Sequence, residues 1–304
     1  MKSPAQHHFP QVKIEKSQKW LYNPVLKKRF KDRPEERVRL AWLEYLLHQT
    51  DVKKSRIGFE NPVKSIQAKN DLRADLIIYN SSLEPHILVE CKAENVPLNR
   101  TTAEQAARYN QSVKARYIVL TNGVEDLWFE YKDGNTDQVS SRLNQKPNIA
   151  LQKNADYWSE RGFLKANADK KLADFMIDLL NRFWDEQFTG SKRYLAFQGD
   201  LDGLPLSHYY KIVDINDETR LAVTLISDGN AGQYILAILN EKGVSTGMVT
   251  ADVEKLISNQ NSAVRVYRDG AVSVKNADLS ELYLEESVSG NLKKLPNSLL
   301  NFFD

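Results

Sequence analysis

Two carboxylates and one lysine are spaced in a way that suits metal-assisted phosphate chemistry. Asp75 lies in the apolar run RADLIIYN, and Glu90 and Lys92 follow about fifteen residues later in ILVECKA. Side chains alternate across a strand, so Glu90 and Lys92 share one face while Cys91 points to the other. An antiparallel hairpin would bring Asp75 alongside them. Carboxylate oxygens suit Mg²⁺, and a nearby ammonium can orient an attacking water and stabilise charge on a phosphate.

The alternative interpretation is an ordinary strand pair whose polar residues face water. Two features count against it. Leu88, Glu90 and Lys92 continue an apolar face, where charges need partners or a metal ion. The run LIIY after Asp75 is apolar on both faces, as in a central strand with layers on each side. We therefore expect Asp75 near the interior of a sheet.

The segments around these strands predict two helices that could position the site. Pro34 suits the first turn of a helix, and the apolar residues that follow recur at helical spacing, at Leu40, Leu43 and Leu47. A second helix is expected between residues 101 and 114, with Thr102 as a candidate cap. The runs RYIVLTNG and DLWFEYK then predict two further strands.

Five segments together resemble the N-terminal nuclease domain of type I restriction endonuclease R subunits, in the PD-(D/E)XK nuclease superfamily. They are RPEERVR at 33–39, RADLIIYN at 73–80, LVECKA at 88–93, EQAARYN at 104–110 and VLTNG at 119–123. The resemblance covers about residues 33–130 and says nothing direct about the second half. It implies an α/β restriction-endonuclease-like nuclease core of order αβββαβ, in which a three-stranded antiparallel meander lies between two helices.

The resemblance also implies a metal site and a catalytic lysine. Asp75 and Glu90, with the carbonyl of Cys91, would hold one or two Mg²⁺ ions, for which Mn²⁺ can substitute. Lys92 would position the attacking water against a DNA phosphodiester. The products would carry 5′-phosphate and 3′-hydroxyl ends.

Further residues receive roles from the same resemblance. Glu36 lies on the inward stripe of the first helix and is expected to complete the metal site in preference to Glu35; the alternative is that both charges only stabilise the N-terminal end of the helix. Gln105 matches the Gln of a Gln-x-x-x-Tyr element and would lie close to the catalytic centre. The candidate nucleic-acid contacts are Arg73, Arg108 and Tyr109, although exposed arginines are common on any surface.

The length and composition are those of an ordinary soluble protein with room for two domains. It has 304 residues, 41% hydrophobic content and a mean hydropathy of -0.52, with one cysteine. One cysteine excludes an intramolecular disulfide, and no apolar run approaches the roughly 18 residues of a membrane helix. We expect a cytoplasmic protein without a membrane segment.

Charge is unevenly distributed along the chain. Residues 1–40 contain eleven Lys or Arg against four Asp or Glu, whereas residues 201–304 contain nine against fourteen. The basic segment also carries Trp20, Tyr22 and Phe30. It could follow a phosphate backbone, or it could be a solvated basic arm.

The second half predicts a separate domain of unknown role. A linker is expected at 143–154, which gives a nuclease-like domain at 1–150 and an α+β or mainly β domain at 151–304. The latter begins with an amphipathic helix at 170–188 and continues with short strands and a hairpin that turns at Asp269 and Gly270. Phe302 and Phe303 would either dock on the body of the domain or form a partner contact.

These observations predict a Mg²⁺-dependent deoxyribonuclease of restriction, DNA-defence or repair type, with endonuclease action favoured over exonuclease action. No G-x-x-x-x-G-K-[ST] loop occurs in the sequence, so no ATPase motor is expected in this chain. The expected partners are DNA, a restriction-system or other protein bound through residues 151–304, and a second copy of the chain. The alternative is a non-catalytic DNA-binding or assembly module whose C-terminal domain recognises a protein.

Overall fold

The computed structural model describes residues 1–15, 18–63, 72–144, 153–185, 190–197, 204, 206–228, 232–284 and 291–304. The chain divides into two units, Met1–Gln152 and Lys153–Asp304. The first is of mixed α/β type and the second is mainly β. Most of the expected linker at 143–154 lies outside the described residues. Within the described ranges, no helix is long and apolar enough to cross a membrane.

The first unit contains two helices and nine strands among its described residues. The helices are α1 (Pro34–Gln49) and α2 (Arg100–Val113). The strands are β1 (Gln11–Glu15), β2 (Gln18–Asn23), β3 (Lys28–Lys31), β4 (Ile57–Val63), β5 (Leu72–Tyr79), β6 (Pro85–Cys91), β7 (Tyr117–Thr121), β8 (Asp126–Lys132) and β9 (Asn135–Val139). Short 3₁₀ turns lie at Pro4–His7 and Lys54–Arg56.

Helix α1 is buried between two sheets. Its apolar side chains point in all directions, and every residue from 38 to 46 is buried. On one side it packs with Leu21 of the sheet β1-β2-β3, and on the other with Leu76 and Val89 of the six-stranded sheet. The stripe predicted from Leu40, Leu43 and Leu47 is therefore only part of its buried surface.

The six-stranded sheet has the order β4-β5-β6-β7-β8-β9. All neighbours are antiparallel except β6 and β7, which are parallel and are joined through α2. Because a parallel pair needs a crossover, α2 returns the chain across the opposite face from α1, where Ala106 packs with Leu88 and Ile118. Asn99 caps α2 and exchanges hydrogen bonds with Thr102, so the predicted cap at Thr102 was wrong by three residues.

The basic N-terminal segment forms the antiparallel sheet β1-β2-β3 instead of a solvated arm. Of the two alternatives given for this segment, the solvated arm is wrong, because the short strands pair into a sheet whose inner face packs on α1. Leu21, on the inner face, is 1% exposed and anchors the sheet to the core.

The second unit is built around a seven-stranded antiparallel meander in sequence order, β10 to β16. Its strands are β10 (Ser191–Ala196), β11 (Ser207–Asp214), β12 (Thr219–Ser227), β13 (Gln233–Glu241), β14 (Val244–Asp252), β15 (Val264–Arg268) and β16 (Ala271–Lys275). Its helices are α3 (Ala155–Ser159), α4 (Lys170–Trp184), α5 (Val253–Ile257) and α6 (Leu295–Leu300), with a 3₁₀ turn at Asn291–Lys294. The predicted hairpin turn is present, with positive φ at Asp269 and Gly270.

The last residues of the second unit dock on its own sheet. Phe303 is 6% exposed, and Arg268 donates a hydrogen bond of 2.6 Å to its carbonyl. Lys275 donates one of 2.9 Å to the carbonyl of Phe302. A Cβ atom on Gly247 would lie 2.7 Å from the ring of Phe303, so this close approach needs glycine. Of the two expectations for the closing phenylalanines, docking on the body is the one observed.

Candidate active site

Strand pairing brings Asp75, in the middle of β5, next to Glu90, near the end of β6. The register pairs Leu76 with Val89, which places Asp75 and Glu90 one residue further along opposite each other. Asp75 Oδ2 accepts a hydrogen bond of 2.8 Å from the backbone N–H of Cys91. The two carboxylates are thus positioned by main-chain contacts of the sheet.

Lys92 follows β6 and connects this pair to α2. Its backbone N–H donates to the carbonyl of Thr121 at 2.8 Å, which extends the parallel pairing with β7. Its ammonium donates to Glu90 Oε1 at 2.9 Å and to Gln105 Oε1 at 3.3 Å. Gln105 Nε2 in turn donates to the hydroxyl of Tyr109 at 3.0 Å. The helix therefore fixes the position of the lysine side chain.

Helix α1 contributes an ion pair rather than a single carboxylate. Glu36 accepts hydrogen bonds from Arg39, one of them at 3.2 Å from Nε. Arg39 Nη1 lies 3.9 Å from Asp75 Oδ1, and its guanidinium packs over the ring of Phe30. Glu35 is exposed. Of the two glutamates considered, Glu36 is the one connected to the site, through the guanidinium of Arg39.

The surroundings of Glu90 and Lys92 shift the pKa values of both side chains. Burial, and next the charge of Asp75, raise the pKa of Glu90 to about 7. Glu90 Oε2 is buried and has no hydrogen-bond partner among the described residues. For Lys92, burial lowers the pKa but the ion pair with Glu90 outweighs it, so its pKa is raised and it stays an ammonium at neutral pH. A carboxylate oxygen without a partner next to a second carboxylate is a place where a cation would be stabilised.

The residues present fit a small, hard cation only in part. Asp75 and Glu90 supply oxygen ligands of the kind that Mg²⁺ prefers, and the orphaned Oε2 is available for one. Among the described residues, however, no group of three or more His, Cys, Asp or Glu side chains is placed to hold a metal ion. Glu36 pairs with Arg39, and the thiol of Cys91 packs in the core on the α1 side of the sheet. Any further oxygen ligand would come from the main chain, water or the phosphate.

The residues predicted to contact nucleic acid lie on α2 and in β5. Arg108 is exposed on α2, where its Nε donates to the carbonyl of Glu104 at 3.4 Å. Tyr109 is half-buried and engaged with Gln105. Arg73 lies within β5, but its side chain is outside the described residues.

Arg39 is the residue of this site that the sequence reasoning missed. Its side chain is only 6% exposed, and it contacts both Glu36 and Asp75. A signal was present, because Glu36 and Arg39 have the i, i+3 spacing at which opposite charges meet on a helix. The contact with Asp75 had no such signal, since it depends on how α1 lies against the sheet.

The comparisons with known proteins concern the first unit. No curated protein and no solved structure matches the chain. Residues 34–144 match the model of the family described as type I restriction enzyme R protein N terminus. This range contains Glu36, Arg39, Asp75, Glu90, Lys92 and Gln105. The resemblance drawn from the five sequence segments is thereby confirmed: residues 34–144 match the N-terminal family of type I restriction enzyme R proteins, and this match points to a restriction-type nuclease domain that interacts with DNA.

Proposed function

We propose that the first unit is a Mg²⁺-dependent deoxyribonuclease whose catalytic centre is formed by Asp75, Glu90 and Lys92. The observation that carries the proposal is the buried Glu90 Oε2 beside Asp75, which has no hydrogen-bond partner among the described residues and lies in a segment that matches a restriction-enzyme family model. A purely structural sheet gains nothing from two apposed carboxylates on neighbouring strands. The full set corresponds to a PD-(D/E)XK site, and endonuclease action is favoured over exonuclease action.

Asp75, Glu90 and the carbonyl of Cys91 would hold the ion. Bound there, Mg²⁺ would supply Lewis acidity toward a phosphate oxygen and lower the pKa of a coordinated water. Asp75 is held ready for this role by the N–H of Cys91 and by Arg39, which together fix both of its oxygens. Glu90 would exchange its proton for the ion, because its pKa of about 7 leaves it partly protonated at neutral pH.

Lys92 acts as a fixed positive charge. With a raised pKa it is a poor general base, so it donates hydrogen bonds and stabilises the negative charge that develops on the phosphate. Gln105 restricts its ammonium from the α2 side, and Tyr109 restricts Gln105. Glu36 acts through Arg39, which it orients toward Asp75, and is therefore a positioning residue.

A cleavage assay with matched variants tests the proposal. Supercoiled, linear and single-stranded DNA are incubated with the full chain in Mg²⁺, in Mn²⁺ and in EDTA. We expect cleavage only with the divalent ion, and conversion of supercoiled to nicked or linear DNA if the action is internal. Asp75→Asn and Lys92→Ala should each lower the rate by roughly 100-fold or more, since the first removes a charged ligand of the ion and the second removes the charge that stabilises the phosphate.

Asp137→Asn and Lys132→Ala are the matched controls, because both residues are exposed on other strands of the same sheet. Their rates should stay within about twofold of wild type, which is the scale of a surface substitution. A folded wild type that cleaves none of the three substrates, yet binds DNA, would overturn the proposal in favour of a non-catalytic binding or assembly module. Since the sequence carries no phosphate loop, the assay contains no ATP.

A further inference from the structure

The sheet β1-β2-β3 displays a mixed aromatic and basic face that the proposed catalytic centre does not use. Cross-strand pairing sets Lys13 opposite Trp20, and Trp20 opposite Lys31. The next row sets Tyr22 opposite Arg29. Paired residues in an antiparallel sheet point to the same side, so these five side chains share one face.

This face points away from the core of the unit. Leu21 lies between Trp20 and Tyr22 in β2 and is buried against α1, so its two neighbours project outward. Trp20 and Tyr22 are both half-buried, and the three cations around them are exposed. Aromatic rings that are left partly open on an outer sheet face have apolar surface available for a partner.

Two of the three cations lie over the rings. Lys13 Nζ is 5.3 Å from the centre of the Tyr22 ring, and Arg29 Cζ is 5.7 Å from that of Trp20. A groove of about 560 Å³ opens at this end of the sheet and is lined by Lys13, Glu15, Tyr22, Lys27, Lys28 and Arg29. Glu15, paired with Arg29, is the one acidic residue among the lining residues. The groove therefore has an excess of positive charge.

We propose that the outer face of β1-β2-β3 binds single-stranded DNA, with bases stacked on Trp20 and Tyr22 and phosphates paired with Lys13, Arg29 and Lys31. Proteins that bind unpaired strands combine cations that follow the phosphates with aromatic side chains on which the bases stack. A duplex would use only the cations, since its bases are already stacked on each other. The aromatic pair is thus what favours the single strand over the duplex.

The inner face attaches this surface to the helix that carries Glu36 and Arg39. Leu21 packs in the α1 core, and Phe30 lies 5.2 Å from the guanidinium of Arg39, measured to the ring centre. The two charged residues of this helix thus lie behind the sheet, on its inner side. The binding itself does not depend on cleavage and can be measured without a divalent ion.

Binding of a fluorescent 12-nucleotide oligothymidine to the full chain in EDTA tests the proposal, with a duplex of equal length as comparison. We expect the single strand to bind at least tenfold more tightly than the duplex at 0.15 M salt. Trp20→Ala should weaken single-strand binding roughly 5- to 150-fold, the range for loss of one stacked base. Trp20→Phe should keep most of the affinity, because the stacking ring remains.

Two charge variants with equal net charge complete the test. Lys13→Gln with Lys31→Gln should lower the slope of log affinity against log salt by roughly 1.4, or about 0.7 for each lost phosphate contact. Lys53→Gln with Lys132→Gln removes the same charge at exposed sites outside this sheet and should leave the slope unchanged. Thermal melting confirms that each variant is folded. Equal binding of duplex and single strand, or a folded Trp20→Ala with wild-type affinity, would overturn the proposal.

Discussion

Glu90 is held in a position that favours its protonated form as long as no cation is bound. Its carboxyl is 6% exposed, faces Asp75 and has Lys92 as its one charged hydrogen-bond partner among the described residues. The alternation of ILVECKA predicted that Glu90 and Lys92 share a face, and the structure places them in contact. What the alternation could not give is the degree of burial, which depends on the layers above the sheet.

The pH dependence of stability should report this burial. The pKa of Glu90 is raised from 4.5 to about 7, so the folded chain holds this proton more tightly than the unfolded chain. The stabilising contribution is complete below about pH 4.5 and is lost as the pH rises through 7. Between pH 5.5 and 8 in EDTA, Glu90→Gln should therefore gain about 2 kcal/mol in unfolding free energy relative to wild type, measured by urea denaturation.

The control is urea denaturation of wild type and Glu90→Gln in Mg²⁺ instead of EDTA. The ion should stabilise wild type at pH 8 and should have little effect on Glu90→Gln, which lacks the second carboxylate. A difference between the two proteins that is constant from pH 5.5 to 8 would mean that Glu90 does not titrate in this range, and the electrostatic account given above would be wrong.

The contacts of Arg39 predict how its replacement changes the unfolding free energy. Its guanidinium is buried between Glu36, Asp75 and Phe30, so Arg39→Met leaves two carboxylates without this cation. The expected loss is about 3 kcal/mol in unfolding free energy, the usual cost of breaking a buried pair from one side. Arg39→Met combined with Glu36→Gln should recover part of that loss. A cost below about 1 kcal/mol would show that solvent screens the pair.

At the scale of elements, the sequence indicated the strands that hold Asp75 and Glu90 and missed the three-stranded sheet. The runs around Asp75 and Glu90 are apolar and end at turn residues, which makes them readable as strands. Strands β1 to β3 are only five, six and four residues long and carry lysines on their outer face. The segment therefore showed its basic composition more clearly than its strand pattern. The burial of α1 on all sides follows from the packing of this sheet against it, which no local pattern reveals.

In the second unit, Gly247 of β14 lies close to the ring of Phe303. A methyl group at Gly247 would meet the ring of Phe303 at 2.7 Å, and an aromatic ring in a packed site has little freedom to move. Gly247→Ala should cost about 1–3 kcal/mol in unfolding free energy, as overpacking does. Ser245→Ala, at an exposed position of the same strand, is the control.

A double-mutant cycle separates this clash from strand propensity. If the clash is the cause, Gly247→Ala should cost nothing further in a Phe303→Ala background, where the ring is absent. Additive costs of the two substitutions would instead assign the effect to the strand backbone.

At the scale of the whole molecule, the two units differ in charge and in how far their roles can be inferred. The excess of positive charge at 1–40 belongs to the unit whose residues 34–144 match the restriction-enzyme family, and the excess of negative charge at 201–304 belongs to the other unit. Sequence patterns predicted helices and strands in both. They could not assign a role to the second unit, because its motifs are turns and apolar strands that many folds share, whereas the first unit holds side chains that carry chemistry.

Cys91 offers a practical consequence of the way the site is built. The site uses its main-chain N–H, while its thiol lies 3% exposed in the core, where burial raises its pKa well above the usual value. It is also the one cysteine of the chain. A thiol-reactive dye should therefore not react with the native protein. It should label a cysteine introduced at an exposed position such as Asp137. Fluorescence from that dye could then follow DNA association in real time on a chain whose site is otherwise unaltered.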